Sequence, residues 1–100
     1  MAKGYWVVRI DVYDNEAYQA YVAANGAAFS KYEARFLVRG GAFQLVEGTS
    51  RARNVVLEFP SLKAAQDCWS SPEYKHALNL RRPVSDGDVV IIEGYDGPQP

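Results

Sequence analysis

Apolar and polar residues alternate along the start of the chain in the way that a half-buried β-strand requires. One face of the segment Gly4–Val12 carries Trp6, Val8, Ile10 and Val12, and the other carries Tyr5, Val7, Arg9 and Asp11. Because successive side chains of a strand point to opposite faces, this alternation predicts a first strand.

The period of the pattern then changes from that of a strand to that of a helix. Asp14 is a suitable N-cap, and Glu16 places a negative charge in the first turn. Large side chains then recur every three or four residues, at Tyr18, Tyr21, Val22, Asn25, Phe29 and Tyr32. This spacing predicts an amphipathic helix over residues 14–32.

Strand-like sequence returns after this helix. Residues 34–38 are predicted as the second strand, which resumes at residues 42–47 after the pair Gly40-Gly41. A glycine pair inside strand-like sequence indicates a bulge or a tight bend. A polar turn follows, and residues 54–59 are predicted as the third strand.

The second half repeats the strand–helix order. Pro60 ends the third strand and Ser61 caps a helix over residues 61–70, while Ser71 and Pro72 suit the start of a short further helix. Residues 81–83 are predicted as a loop, residues 85–87 as a turn and residues 88–93 as the last strand.

This order predicts one α+β domain. It is a ferredoxin-like βαββαβ sandwich, an antiparallel sheet with helices on one face. The domain is expected to span residues 1–96, with residues 97–100 as a flexible C-terminal tail.

The exposed face of this sheet is too apolar for a monomer of this design. Residues 89–92 read Val-Val-Ile-Ile, which places apolar side chains on both faces of the last strand. Since one chain supplies helices for only one face, the other is expected to pack on a second copy. The alternative is a central strand with small apolar side chains tolerated in water.

Charge and composition remove several classes of partner. The net charge is −1 and there is no basic tract, so nucleic acid is not expected as a partner. No apolar run is long enough to cross a membrane, and the chain leads directly into a strand rather than a signal sequence. A single cysteine, Cys68, excludes an internal disulfide and favours the cytoplasm.

Segments spread along the chain resemble one bacterial family. They are KGYWVVRIDV at residues 3–12, FLVRGG at 36–41, VEG at 46–48, FPSLKAA at 59–65, SPEY at 71–74 and VIIEG at 90–94. Together they are similar to the family called domain of unknown function 1330. The resemblance implies a ferredoxin-like protomer and a dimeric α/β barrel, like that of small antibiotic-biosynthesis-type monooxygenases and chlorite dismutase-like proteins. It implies no activity, and His76 departs from the family pattern.

No motif in the chain names a reaction. A single His and a single Cys cannot complete a closed zinc site, and phosphate-binding and hydrolase motifs are absent, so neither metal nor cofactor is expected. Cys68 and His76 are the only evident nucleophile–base pair. The favoured interpretation is a half-buried cysteine and an unrelated surface histidine.

The candidate ligand site is an aromatic cleft between helices and sheet. The residues expected to bind a ligand are Arg39, Tyr32, Phe36, Trp69, Tyr74 and Arg81. Arg39 is predicted to hold an anionic group at the cleft mouth, the alternative being an ion pair with Glu47 or Glu58. The aromatic residues could equally be core, and Arg81-Arg82 a solvated loop.

Charged residues on the sheet face opposite the helices have a structural interpretation. Arg9, Asp11 and Glu58 are predicted to pair with other charges and to set register between strands or subunits. An unpaired buried charge would be expensive, so a place inside a dimer interface requires partners for all of them.

Three functions remain open from the sequence. The preferred one is a cytoplasmic homodimer that binds a small, partly apolar or anionic molecule. The alternatives are a cofactor-independent monooxygenase- or isomerase-like enzyme and a structural dimer without ligand. A buried Asp or Glu beside the aromatic cluster would favour the enzyme, because proton abstraction needs a base. A close-packed cluster would favour the structural dimer.

Overall fold

The computed structural model describes residues 2–100 as four strands and three helices. Their bounds are β1 Gly4–Val12, α1 Asn15–Lys31, β2 Arg35–Arg39, β3 Arg53–Phe59, α2 Leu62–Ser70, α3 Pro72–Arg81 and β4 Ser85–Glu93. A single 3-10 turn, Arg82–Val84, joins α3 to β4. The strands form one antiparallel sheet in the order β2-β3-β1-β4. The prediction of a ferredoxin-like α+β sandwich is confirmed.

Each helix begins at a side chain that accepts a hydrogen bond from the first turn. Asp14 Oδ1 accepts from the Ala17 amide at 3.0 Å, and Ser61 Oγ accepts from the Ala64 amide at 3.0 Å. Ser71 closes α2 and opens α3, since its hydroxyl donates to the Cys68 carbonyl at 2.7 Å and accepts from the Tyr74 amide at 3.1 Å. These caps satisfy amides that have no partner inside the helix.

Trp6 is the centre of the core, on the sheet face that the helices cover. Its side chain is 1% exposed, and its indole N–H donates to the Ala65 carbonyl of α2 at 2.9 Å. Four rings surround it with centroids 4.8 to 5.6 Å away, those of Phe29, Phe59, Trp69 and Tyr74. This one residue therefore ties β1 to β3 and to all three helices.

A bulge in β2 decides which side chains face the helices. Phe36 pairs with Leu57 and Val38 with Val56, so Leu37 is the extra residue in the ladder. As a result Arg39, three positions after Phe36, lies on the same face as Phe36 rather than the opposite one. The sequence predicted a bulge or tight bend at Gly40-Gly41. The bulge lies three positions before Gly40, and Gly40 itself adopts φ +69° directly after the strand.

The expected continuation of β2 over residues 42–47 is wrong. This segment makes no strand pairing and leaves Phe43 53% and Val46 82% exposed. Its apolar residues suit a strand, but a strand also needs a neighbour for its amides and carbonyls. Within residues 2–100 no such neighbour is available.

The end of the chain's last helix also differs from the prediction. Arg81 belongs to α3 and is buried, where a loop was expected, and the Ser85 hydroxyl donates to its carbonyl at 2.8 Å. The predicted turn at residues 85–87 is the start of β4, which pairs with β1 as far as Val12. Pairing along the whole of β1 outweighs the turn preference of Asp86 and Gly87.

The sheet face away from the helices carries a central apolar row. Strand pairing places one valine of each strand side by side, in the order Val38, Val56, Val7 and Val90. We call these four residues the valine row. Val38 is 42% exposed and Val90 is 54% exposed. The adjoining Ile92 extends the apolar surface at the edge strand.

Candidate functional site

A small cavity lies between α1 and the sheet. Its volume is about 30 Å³, enough for one or two water molecules. Aromatic and aliphatic side chains make most of the wall, including Trp6 and Phe29. Six polar side chains also line it: Tyr18, Tyr21, Asn25, Arg39, Arg53 and Tyr74. Apolar walls with a few converging polar groups are typical of a small-molecule site.

Helical spacing brings three of the polar groups together. Tyr18, Tyr21 and Asn25 recur at three and four positions along α1, so they share the face that is turned to the sheet. All three residues are buried. A buried asparagine in a stripe of large side chains places an amide donor and acceptor at the cavity.

A pair of phenols forms the wall towards α3. The hydroxyls of Tyr21 and Tyr74 are 2.9 Å apart. Burial raises the pKa of Tyr21, Tyr74 and Tyr18 above the ordinary tyrosine value, although nearby guanidinium groups oppose the shift. The three phenols are therefore neutral at physiological pH and can donate hydrogen bonds into the cavity.

Arg81 lies behind this phenol pair. Its guanidinium carbon is 5.6 Å from the centre of the Tyr21 ring, and the group is within hydrogen-bonding reach of the Tyr74 hydroxyl. The residue is only 4% exposed, and its Nε has no hydrogen-bond partner. A guanidinium buried in this way places positive charge next to the cavity wall.

Two further arginines stand at the β2 side of the cavity. The Arg39 side chain is exposed and lies over the Phe36 ring at 4.2 Å. Arg53 is partly buried, its Nε has no hydrogen-bond partner, and its guanidinium lies against the backbone of Gly40. A Cβ at position 40 would meet the end of the flexible Arg53 side chain, which would have to shift, and the φ of +69° favours glycine there.

The charge around the cavity is of one sign. None of its lining residues is Asp, Glu, Lys or His. In residues 2–100 the ion pairs engage Lys31, Arg35, Arg51 and Lys63, and none involves Arg39, Arg53 or Arg81. The expected alternative for Arg39, an ion pair with Glu47 or Glu58, is not formed. The polar part of the cavity wall thus consists of cations, neutral phenols and the amide of Asn25.

The structure brings together part of the predicted ligand site. Phe36, Arg39 and Tyr74 line the cavity, and Arg81 contacts two of its phenols. Two predicted residues do not line it. Tyr32 caps the end of α1 beside Lys31, and Trp69 packs on the far side of Trp6 and Tyr74. A ligand-binding role for the six residues stays a prediction.

Sequence reasoning missed four of the polar lining residues. Tyr18, Tyr21 and Asn25 were assigned to a helix stripe, and Arg53 fell between a turn and a strand. Asn25 carried a usable signal, because a polar amide in an otherwise apolar or aromatic stripe needs a buried partner. Arg53 carried one too, because it stands two positions before Val55 and the alternation of a strand turns both side chains to the same face.

Cys68 and His76 do not form a nucleophile–base pair. The Cys68 thiol is fully buried in α2 and lies 3.8 Å from the Ala28 carbonyl of α1. His76 is exposed on α3. The favoured interpretation of these residues agrees with this geometry. Burial raises the pKa of the Cys68 thiol to about 12, so almost none of it is present as the reactive thiolate.

We therefore expect Cys68 to be unreactive in the folded protein. Iodoacetamide at about pH 8 should modify it at least ~100-fold more slowly than in the urea-denatured chain, because both burial and the raised pKa protect the thiol. Mass spectrometry of timed samples measures the rate, and the denatured chain is the control. Equally fast modification of the folded protein would contradict the placement of Cys68.

Three carboxylates on the outer sheet face, Asp11, Glu58 and Asp88, have partners within the chain, whereas Arg9 forms no ion pair among residues 2–100. Asp11 accepts from the Ala52 amide and from Arg51 NH1, each at 2.9 Å, and Arg51 Nε also donates to Asp88 at 2.7 Å. The Ala52 amide, and then Arg51, hold the pKa of Asp11 below its ordinary value. Glu58 accepts from the Tyr5 hydroxyl at 2.9 Å. These contacts fix the segment before β3 to β1 and β4.

The described residues contain neither a cluster of metal ligands nor a helix that could span a membrane. No group of three or more His, Cys, Asp or Glu side chains within residues 2–100 is arranged to hold a metal ion. In the same part of the chain, every helix is too short or too polar to reach across a bilayer.

Comparison with known proteins connects the chain to one family and one fold. A family model described as Domain of unknown function (DUF1330) matches residues 3–95. A comparison of the sequence with curated proteins found no match.

Three solved structures illustrate the likeness in fold. A protein of unknown function from Rhodopseudomonas palustris is 16% identical with a TM-score of 0.75, over 96% of this chain and 85% of that one. SnoaB, a cofactor-independent oxygenase from Streptomyces nogalater, is 14% identical with a TM-score of 0.62, over 100% of this chain and 97% of that one. A dimeric ferredoxin-like protein of unknown function from Bacteroides fragilis is 16% identical with a TM-score of 0.57, over 91% of this chain and 95% of that one. Identities this low show a shared fold alone.

Proposed function

Because the chain belongs to the DUF1330 family, whose function is unknown, we propose its function from its own geometry: it is a homodimer that binds a small, partly apolar or anionic molecule in the cavity beneath α1. The observation that carries this proposal is the lining itself. Arg39 and Arg53 have no carboxylate partner within residues 2–100, and the neighbouring phenols are neutral donors. Such a set of donors suits a ligand that accepts hydrogen bonds.

The size of the cavity limits what enters it. Pockets that enclose a drug-sized molecule measure ~300–1,000 Å³, far more than the 30 Å³ found here. Only a small group of the ligand fits unless a side chain moves. Arg39 is suited to moving, because its side chain is exposed, lies over the Phe36 ring and forms no ion pair in the described part of the chain. A ligand that displaces Arg39 from Phe36 would have an aromatic surface to lie on.

The proposal favours binding over catalysis. An enzyme that abstracts a proton needs a general base beside its substrate, and no carboxylate or imidazole lines the cavity. The phenols are poor bases at neutral pH because their pKa values are raised by burial. The fold shared with SnoaB, described as a cofactor-independent oxygenase, keeps the enzyme as the second candidate. The same guanidinium groups would stabilise an enolate-like anion.

The second copy is proposed to pack on the outer sheet face. The valine row crosses the whole sheet, with Tyr5 and Ile92 on one side of it and Arg9 and Asp88 on the other. An apolar centre with a polar rim is the usual build of a protein interface. The Bacteroides fragilis protein of the same fold is described as dimeric. The exposed apolar segment at residues 42–47 adjoins this face through Arg9 and Asn54 and would extend the contact.

Native mass spectrometry of the protein as purified from cells tests the proposal. We expect a dimer that carries a reproducible added mass, which is lost when the protein is denatured. Tryptophan emission provides a second reading, because Trp6 lines the cavity and should respond to a ligand that enters it. A protein without added mass, whose emission is unaffected by small aromatic acids and amides, would contradict the binding function.

The proposed location is the cytoplasm, where the single Cys68 stays reduced.

A further inference from the structure

The cavity has a closed end and an open end, which the exposure of its lining residues identifies. Trp6, Ile10 and Leu57 at its base are buried to 2% exposure or less. Phe36 and Arg53 are partly exposed and Arg39 is exposed. The opening therefore lies at β2, between an aromatic ring and two guanidinium groups. A ligand that enters from solvent meets these three side chains first.

The positive charge beside the cavity is not balanced by the protein. Arg53 Nε is buried without a hydrogen-bond partner, and Arg81 Nε is in the same state behind the phenols. The Arg81 guanidinium is buried and that of Arg53 is partly buried, and neither forms an ion pair within residues 2–100. Each charge has therefore lost water without gaining a counter-charge, which is costly. Apart from Arg39 and Arg53, every ionisable group of the lining is a neutral phenol. An anion that accepts from Arg53 would remove this cost.

We infer that the ligand is an organic carboxylate, whose charged head enters the cavity beside Arg53 and whose apolar part lies on Phe36 at the opening. This inference rests on the proposed binding site and adds the charge and the orientation of the ligand. A carboxylate is planar and has three heavy atoms, which matches a narrow space of about 30 Å³ better than a tetrahedral anion does. A guanidinium group binds it through parallel hydrogen bonds. Arg39 then closes over the bound molecule.

Benzoate and benzamide are the probes that separate charge from shape. The two molecules have the same ring and nearly the same size, but only benzoate carries a negative charge. Titrations followed by tryptophan emission should give saturable binding of benzoate, with benzamide at least ~10-fold weaker, as expected for hydrogen bonds to a charged group. Equal affinity for the two probes would overturn the inference and leave the binding function standing.

Variants of three arginines locate the head group. Arg53→Gln should weaken benzoate at least ~10-fold and bring it level with benzamide, and Arg39→Gln should weaken it less. Arg35→Gln is the matched control, because Arg35 lies on the same strand as Arg39 but on the outer face, near Glu58. Loss of benzoate binding in Arg35→Gln, or retention in Arg53→Gln, would overturn the assignment.

Stability separates a binding role of Arg53 from a structural one. If its charge is unbalanced in the free protein, Arg53→Gln should leave the melting temperature unchanged or raise it. A clear fall in melting temperature would assign Arg53 to the structure instead. If neither probe binds and the purified protein carries no added mass, the proposed function fails together with the inference. An added mass identified as a neutral molecule overturns the inference alone.

Discussion

Replacing Val90 with Asp is expected to convert the proposed dimer into a folded monomer. Val90 ends the valine row and is 54% exposed in the single chain, so the change removes little from the monomer. In a dimer built on this face it would place an unpaired carboxylate inside the contact, at a cost of ~3–5 kcal/mol. A two-fold interface would contain the charge twice. The dissociation constant should therefore rise by at least ~10³-fold.

Sedimentation velocity over a dilution series measures this change, and circular dichroism reports whether the variant is folded. Ala23→Asp is the control. It adds the same charge at an exposed position of α1, on the opposite side of the molecule. If Val90→Asp stays as dimeric as the parent chain, the sheet face is not the interface. If both variants dissociate, net charge rather than position is responsible.

The elements that the sequence predicted well are those whose signal is local. The alternation of β1 and the caps Asp14, Ser61 and Ser71 depend only on neighbouring residues, and the structure has each of them in place. The ferredoxin-like fold followed from the order of the elements, because two strand–helix–strand units in one chain are typical of it. The family resemblance pointed to the same fold, and the family model that matches residues 3–95 confirms the resemblance.

The errors arise where a distant contact overrides local preference. Residues 42–47 have strand-like composition but no partner strand in the described chain, whereas Asp86 and Gly87 look like a turn but pair with β1. The local sequence of a segment does not indicate whether another strand is available to pair with it. Composition therefore predicted too long a β2 and too short a β4.

The candidate site depended on one irregular feature that the sequence does not display. Without the bulge at Leu37, Arg39 would lie on the outer face, far from Tyr74. Arg53 needs no such irregularity, since the alternation of β3 places it on the same face as Val55 and Leu57. The glycine pair indicated that the strand is interrupted here, but not which side chains the interruption would turn inwards. Aromatic residues together with Arg39 and Arg81 pointed to a site, and the bulge explains why Arg39 lies beside the cavity.

The second large effect is expected from the core rather than from the site. Trp6→Ala should lower the free energy of unfolding by about 3–5 kcal/mol, because it removes the ring at the centre of the aromatic cluster and leaves a cavity. Most domains of this size are stable by only ~5–15 kcal/mol, so much of the stability is lost. Urea denaturation at one fixed protein concentration measures the change, since the proposed dimerisation would make stability depend on concentration.

Two further substitutions show why Trp6 matters more than its size. Trp69→Ala removes the same side chain from a half-buried position and should cost ~1–2 kcal/mol, in proportion to the smaller area it buries. Trp6→Phe keeps an aromatic ring but leaves the Ala65 carbonyl without its 2.9 Å indole donor, a loss of ~1–3 kcal/mol. Equal costs for the two alanine variants would mean that the core is not centred on Trp6. The predicted order instead follows from position, because Trp6 lies in the sheet and contacts side chains of all three helices, whereas Trp69 is half-buried at one side of the cluster.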